Sequence, residues 1–196
     1  ALTRPVWVGD PIVREVAARD MLLIVDLSGS MAEEDFTDDQ GLKIARLDAV
    51  KLVLTDFIDR REGDRLGLAI FGDAAYPQSP FTDDHETVLT LLDELQVGMA
   101  GPKTMIGDAI GLSIRLFDAA ETPNKVAILL TDGNDTGSQM PVERAATIAA
   151  EQDITIHTIA MGDPASVGEN PLDTDTLDFI AKITSGNSFL ALDPDY

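Results

Sequence analysis

Three oxygen-bearing side chains follow an apolar run of the chain at alternate positions. The segment MLLIVDLSGSM, residues 21–31, places Asp26 after five apolar residues, and Ser28 and Ser30 come next. A carboxylate and two hydroxyls are hard oxygen ligands, the type that Mg²⁺, Mn²⁺ and Ca²⁺ prefer. The spacing therefore predicts a divalent metal site. The structural alternative is a turn in which the serines only cap backbone groups.

The apolar runs indicate where these ligands lie. Residues 21–25 are continuously apolar, which is typical of a strand buried on both faces in a parallel sheet. Ligands of such sheets bind beyond the carboxyl ends of the strands. A second run, VAILLTDGND at residues 126–135, ends on another acid, Asp132. Two carboxylates at one edge are costly to bury unless a cation lies between them.

A threonine supplies the last member of the predicted site. Thr104 stands just before a helical pattern in residues 106–117, so we expect its hydroxyl in a loop at a helix start, on the same edge of the sheet. Five residues then form one predicted constellation of metal ligands: Asp26, Ser28, Ser30, Thr104 and Asp132.

The rest of the chain alternates strand and helix patterns. Residues 43–59 predict a helix whose apolar face includes Ile44 and Val53. A strand over residues 65–71 is followed after three residues by an extended segment with two prolines, which predicts an antiparallel edge strand. Further helices are expected at residues 85–95, 106–117, 141–152 and 173–184, and further strands at 154–162 and 187–192. The predicted fold class is α/β: a doubly wound, Rossmann-like, mostly parallel sheet with one short antiparallel edge strand and helices on both faces.

The composition predicts one ordinary domain. A chain of 196 residues buries about 70% of its unfolded surface on folding, so the absence of Cys does not limit its stability. We expect residues 1–20 to form an N-terminal extension and residues 21–196 a single domain. The sequence has no run near the ~20 apolar residues of a membrane span and no signal-peptide pattern, so the chain as given is predicted to be soluble.

Charge and missing motifs narrow the function. The formal net charge of −21 disfavours nucleic acid and anionic lipid as partners and raises the local concentration of divalent cations. The phosphate-binding pattern G-x-x-x-x-G-K-[ST] and the G-x-S-x-G nucleophile pattern do not occur in the sequence. These observations favour binding over catalysis.

The combined motifs resemble the von Willebrand factor A domain and its metal-ion-dependent adhesion site, which join D-x-S-x-S, a lone Thr and an Asp in a T-D-G turn. The segments DLSGSMAEEDF, RLDAVK, GDRLGLAIFGDAAY and ILLTDGNDTG are similar to the Bat (aerotolerance, BatA-like) proteins of bacterial inner membranes. The resemblance implies that Ser28 and Ser30 bind the ion directly and that Asp26 acts mostly through water. It also implies that Thr104 and Asp132 exchange direct and water-mediated roles between two conformations.

The predicted function is protein recognition without catalysis. A partner's Asp or Glu would complete the coordination of Mg²⁺ (or Mn²⁺ or Ca²⁺), since mostly neutral ligands leave the ion positively charged with an open position. The resemblance implies a membrane-anchored protein whose soluble domain faces the periplasm, with other Bat or von Willebrand factor A proteins and a MoxR-type ATPase as partners. Its anchor would lie outside this chain. A metal-assisted phosphoester hydrolase and a structural domain with a non-functional metal site are the alternatives.

An acidic segment beside the predicted site leaves one more possibility open. Glu33 and Glu34 stand in a stretch that also contains Asp35, Asp38 and Asp39. The paired glutamates resemble the acids that build a second cation site in the A-type domains of integrin β-subunits. The alternative is a solvated acidic rim.

Overall fold

The computed structural model describes residues 19–38, 40–120, 122–162 and 172–191. Within these stretches the strands are β1 Asp20–Asp26, β2 Phe36–Thr37, β3 Lys43–Ile44, β4 Arg65–Phe71, β5 Ala75–Thr82, β6 Lys125–Thr131, β7 Ile154–Met161 and β8 Ser188–Ala191. The helices are α1 Arg46–Asp59, α2 His85–Asp93, α3 Ile106–Ala120, α4 Val142–Glu151 and α5 Thr174–Ile183. The predicted α/β alternation is confirmed.

The main sheet is doubly wound around β1. Its strand order is β5-β4-β1-β6-β7-β8, and neighbouring strands are parallel except for β5, which runs antiparallel to β4. Because β1 and β6 are parallel neighbours with Val25 opposite Leu130, their carboxyl ends lie side by side. The topology therefore brings the segments after Asp26 and Thr131 to one edge of the sheet.

Helices cover both faces of the sheet and create two apolar cores. All seven residues of β1 are buried, and their side chains alternate between the two faces. Leu23 and Val25 pack with residues of α1 and α2, whereas Leu22 and Ile24 pack with residues of α3, α4 and α5. This double burial explains why β1 is a continuous apolar run.

The edge strand β5 runs antiparallel to β4, as predicted. It spans eight residues, and register shifts interrupt its pairing with β4. Pro77 and Pro80 have no backbone N–H to donate. An edge strand tolerates them because only one of its two sides pairs with another strand.

The region before α1 differs from the predicted helix. The strands β2 and β3 pair antiparallel, and between them Asp38 Oδ1 accepts bonds from the backbone N–H groups of Gln40 and Leu42 at 2.9 and 2.8 Å. The prediction that Ile44 lies on the helical face is wrong because Ile44 belongs to β3. Val53 does lie in α1 but is 54% exposed, so the helix buries a narrower face than predicted.

The expected N-terminal extension, residues 1–20, lies outside the described residues except for Arg19 and Asp20, and Asp20 already opens β1. Residues 192–196 of the expected domain are likewise outside them. In the described stretches no helix is both long and apolar enough to cross a membrane.

We expect the α3–β5 contact to be a main determinant of stability. Phe117 is fully buried, and its ring stacks on Phe81 with centroids 5.0 Å apart. Phe117→Ala should lower the free energy of unfolding by about 3–5 kcal/mol, because it removes buried area and leaves a cavity. In urea unfolding, the control Leu52→Ala, at a residue 59% exposed, should cost less than about 0.5 kcal/mol. Equal losses in the two variants would contradict this packing.

Candidate metal centre

The carboxylate of Asp26 holds the turn that follows β1. Asp26 is completely buried, and its Oδ1 accepts a bond from the backbone N–H of Ser28 at 2.8 Å. Its Oδ2 accepts a bond from Thr131 Oγ1, at the end of β6, at 2.5 Å. Asp26 thereby joins the ends of the two central strands and fixes the direction in which the chain leaves β1.

Two serine hydroxyls and one carboxylate oxygen meet just beyond this turn. Ser28 Oγ lies 3.2 Å from Ser30 Oγ, and Ser30 Oγ donates to Asp132 Oδ1 at 2.8 Å. The extended backbone of Ser28 leads into a short 3-10 turn, Gly29–Ala32, which presents Ser30 toward the end of β6. The hydroxyl of Ser30 therefore joins the turn after β1 to Asp132, which is 102 positions further along the chain.

Thr104 lies against the residue that follows Asp132. A Cβ atom built at Gly133 would be 3.0 Å from Thr104 Oγ1, so any larger residue here would push against the Thr104 side chain. The loop that carries Thr104 is held next to the first turn, because the backbone N–H of Gly29 donates to Pro102 O at 3.3 Å. The structure thus brings all five predicted residues to one edge of the sheet, and their role as metal ligands stays a prediction.

The loop after Asp132 is tied to the Thr104 loop by three hydrogen bonds. Thr136 N donates to Thr104 O at 2.8 Å, and Thr136 Oγ1 donates to the same carbonyl at 3.1 Å. Thr136 Oγ1 also accepts the backbone N–H of Thr104 at 3.1 Å. The two loops are therefore held together as one unit.

The same loop contacts the starts of two helices. Asp135 Oδ1 accepts the N–H of Ile106, the first residue of α3, at 2.9 Å, and Asn134 Oδ1 accepts the N–H of Asp173, just before α5, at 2.6 Å. Burial opposes ionisation of Asp135, but hydrogen bonds from Ser138 and its neighbours lower the pKa of this carboxyl overall. The loop after β6 thus links Asp132 to α3 and α5.

Sequence reasoning missed a buried cation beside the predicted ligands. The guanidinium of Arg46, at the start of α1, donates from Nη1 to Asp132 Oδ2 at 2.7 Å and from Nη2 to Glu33 Oε2 at 2.9 Å. Its Nε donates to both carboxylate oxygens of Asp35 at 3.0 Å. Glu33 therefore pairs with Arg46, and both Glu33 and Glu34 are exposed. A lone Arg after an acidic stretch was the available signal, but nothing in the spacing indicated its direction.

The electrostatics of the crevice favour added positive charge. Burial raises the pKa of Asp26 to about 7, the hydrogen bond from Thr131 opposes this rise, and the nearby charge of Asp132 adds to it. A carboxyl that resists ionisation in the absence of a cation binds one readily in the ionised form, because the cation offsets the lost hydration.

The donor set fits a small, hard divalent ion. Adjacent oxygen ligands in an octahedron with metal–oxygen distances of about 2.1 Å lie about 3.0 Å apart. The separations that join Ser28 Oγ to Ser30 Oγ and Ser30 Oγ to Asp132 Oδ1, 3.2 and 2.8 Å, bracket that value. In the described stretches no cluster of three or more His, Cys, Asp or Glu side chains is arranged to hold a metal ion. The hydroxyls are therefore essential to the candidate site.

Comparison with known proteins matches residues 20–195 to the family model of the von Willebrand factor type A domain. A crystal structure of an uncharacterised membrane-spanning protein from Vibrio fischeri is 42% identical, with a TM-score of 0.52 over 91% of this chain and 93% of that chain. The conserved hypothetical protein BatB from Bacteroides thetaiotaomicron is 23% identical, with a TM-score of 0.77 over 91% and 92% of the two chains, and shares the fold.

A third neighbour also shares the fold. Proximal thread matrix protein 1 from the mussel byssus, described with a zinc-occupied metal-ion-dependent adhesion site motif, has a TM-score of 0.70 at 21% identity. The match covers 89% of this chain and 42% of that one.

The chain spans about half the length of the curated relatives it matches, 41% and 55% in two cases.

We expect Asp26 to make the stability of the metal-free protein depend on pH. Its pKa is about 7 in the folded chain and 3.8 in the unfolded one, so the folded state binds the extra proton between these values. Its contribution to the free energy of unfolding is full below about pH 4 and is lost as the pH rises to about 7, on the order of a few kcal/mol. Asp26→Asn should remove this dependence in urea unfolding with a chelator. Parallel curves for the two proteins would contradict a raised pKa.

Thr131→Val provides a second test of the same environment. This variant removes the O–H that stabilises the Asp26 carboxylate, so the pKa of Asp26 should rise further. Carbon-13 NMR titration of the carboxyl group measures the shift directly.

Proposed function

The chain belongs to the von Willebrand factor type A domain family, and we propose that it is a divalent-metal-dependent module for protein recognition. The observation that carries the proposal is the oxygen cluster at the edge of the sheet. There Ser28 Oγ, Ser30 Oγ and Asp132 Oδ1 follow one another at separations of 3.2 and 2.8 Å. Of these three oxygen atoms, only Asp132 Oδ1 belongs to a charged group. The second carboxylate, that of Asp26, is buried in the turn after β1.

The charge of the crevice supports recognition of an acid. Asp26 and Asp132 are buried, and Arg46 offsets part of their negative charge. When bound, Mg²⁺ or Mn²⁺ would supply a net positive charge and a coordination position that a partner's Asp or Glu can fill. The strongly negative charge of the chain attracts the metal ion but not an acidic partner. Specificity for that partner must therefore come from contacts around the crevice.

Each side chain of the site has a distinct role in this proposal. Ser28 and Ser30 hold the ion through their hydroxyls, and Asp26 orients the turn and contributes through water. Thr104 and Asp132 exchange direct and water-mediated contacts. The hydrogen bonds of Asp135 to α3 and of Asn134 to the start of α5 give a route by which such an exchange would move helices.

The positions of the histidines support binding rather than hydrolysis. His85 Nε2 lies 2.9 Å from Asp64 O, and His157 Nδ1 accepts the backbone N–H of Asn187 at 3.1 Å. Both imidazoles are engaged with backbone groups of other loops, so neither is placed to act as a base for Ser28 or Ser30.

We further propose that the chain is the soluble part of a membrane-anchored bacterial protein, facing the periplasm. Its partners would include other Bat or von Willebrand factor A proteins and a MoxR-type ATPase. The greater length of the curated relatives and the description of the Vibrio fischeri neighbour as membrane-spanning support this setting.

The first test is metal binding by the serines. By titration calorimetry, the protein should bind one Mg²⁺ or Mn²⁺, and Ser28→Ala or Ser30→Ala should weaken binding by at least about tenfold, since even groups that only orient a ligand are worth that much. Ser188→Ala is the matched control, because Ser188 is exposed at the start of β8, three strands away from β1. Equal affinities in all variants would place the ion elsewhere.

The second test is the open coordination position. Acetate should lower the water-proton relaxivity of the Mn²⁺-loaded protein, because a carboxylate displaces a coordinated water, and acetamide should have little effect. An identical response to the two probes would rule out recognition of a carboxylate. A metal-dependent turnover of para-nitrophenyl phosphate that Asp26→Ala abolishes would instead support the hydrolase alternative.

A further inference from the structure

Arg46 is the most heavily engaged charged side chain beside the candidate metal centre. Its side chain is 9% exposed, and each of its three nitrogen atoms donates to a carboxylate. The backbone N–H of the same residue donates to Glu33 O at 3.0 Å, which fastens the acidic segment to the start of α1. Arg46 therefore occupies a fixed position between the acidic segment and Asp132.

The bond to Asp132 divides that carboxylate between two environments. Oδ1 faces the hydroxyl of Ser30 at 2.8 Å, whereas Oδ2 is held by Arg46 Nη1 at 2.7 Å. The side chain of Asp132 is completely buried, so water does not compete for either oxygen. As long as Arg46 holds Oδ2, Asp132 can offer only one oxygen to an ion in the crevice.

This restriction bears on which ion fits. Mg²⁺ and Mn²⁺ accept single oxygens in an octahedron of small radius, whereas Ca²⁺ takes six to eight oxygens and often binds both oxygens of a carboxylate. Two further carboxylates near the crevice, Glu33 and Asp35, are also held by the guanidinium, at 2.9 Å and 2.5 Å from Nη2, whereas the two oxygens of Asp26 accept bonds from Ser28 and Thr131. The ligands that would raise the coordination number are therefore bound to Arg46.

We propose that Arg46 determines the ion specificity of this site by blocking the second oxygen of Asp132 and the neighbouring carboxylates. A guanidinium suits this role because its planar fork reaches several carboxylates at fixed angles. The inference rests on the proposed metal site and adds the selection of a small ion over Ca²⁺. Arg46 acts through Asp132 and is thus a positioning residue rather than a ligand.

Calorimetric titrations of chelator-treated protein with Mg²⁺, Mn²⁺ and Ca²⁺ test the proposal. In Arg46→Gln, the ratio of the Ca²⁺ to the Mg²⁺ association constant should rise by at least about tenfold, because both oxygens of Asp132 become available. Arg46→Lys should change the ratio in the same direction by a smaller factor, since a single ammonium cannot hold three carboxylates. The matched control is Arg60→Gln, which removes the same charge from an exposed pair with Asp56 at the end of α1 and should leave the ratio unchanged.

The outcomes separate the two proposals. If the unaltered protein binds neither Mg²⁺ nor Mn²⁺, the proposed function fails. If it binds them but the ratio is unchanged in both Arg46 variants, or all ions gain equally, the role of Arg46 in specificity is overturned. Circular dichroism checks that Arg46→Gln folds, and if it does not, Arg46→Lys decides the question alone.

Discussion

Two buried carboxylates at the ends of neighbouring strands are the constraint on which the rest of the structure depends. Because β1 and β6 are parallel and adjacent, Asp26 and Asp132 leave the sheet at the same edge. Two such charges destabilise a folded protein unless each oxygen has a partner. Here four donors from three segments supply those partners: Ser28 and Ser30 in the turn after β1, Thr131 at the end of β6 and Arg46 at the start of α1. Among the hydrogen bonds to these two carboxylates in the described residues, only the one from Arg46 comes from a charged group.

The surrounding loops are held close by bonds between main-chain groups. The backbone N–H of Gly98 donates to Leu27 O at 2.7 Å, and that of Asp73 donates to Ala100 O at 2.7 Å. A Cβ atom at Gly72 would lie 2.5 Å from Ala100 O, so the approach of this loop to the end of β4 requires glycine. The side chains of the crevice are consequently positioned by rigid strand ends and by backbone contacts, which lowers the conformational cost of binding a ligand there.

Strand ends and loop lengths explain how much of this arrangement the sequence could predict. A continuous apolar run that ends on an acid indicates both a buried strand and the edge at which its acid lies, and this argument located Asp26 and Asp132 correctly at one edge. Arg46 could not be located in the same way. Its direction depends on where α1 begins, and the β2–β3 pair before the helix moves that start to Arg46. The polar residues around this pair carry no periodic signal that would reveal it. Thr131 was missed for a related reason, because a strand residue one position before a predicted ligand is easily taken as part of the apolar run.

The contacts also define which bonds must break if Thr104 and Asp132 exchange roles. Three hydrogen bonds between Thr104 and Thr136 hold the two loops together, so one cannot shift far without the other. This unit is joined to the first turn of the crevice at Asp132, which is bound by Ser30 and Arg46. A change of coordination at Asp132 would have to loosen one of these two bonds. Since Arg46 begins α1 and the loop unit contacts α3 and α5, the same step would alter the contacts of helices on both faces of the sheet.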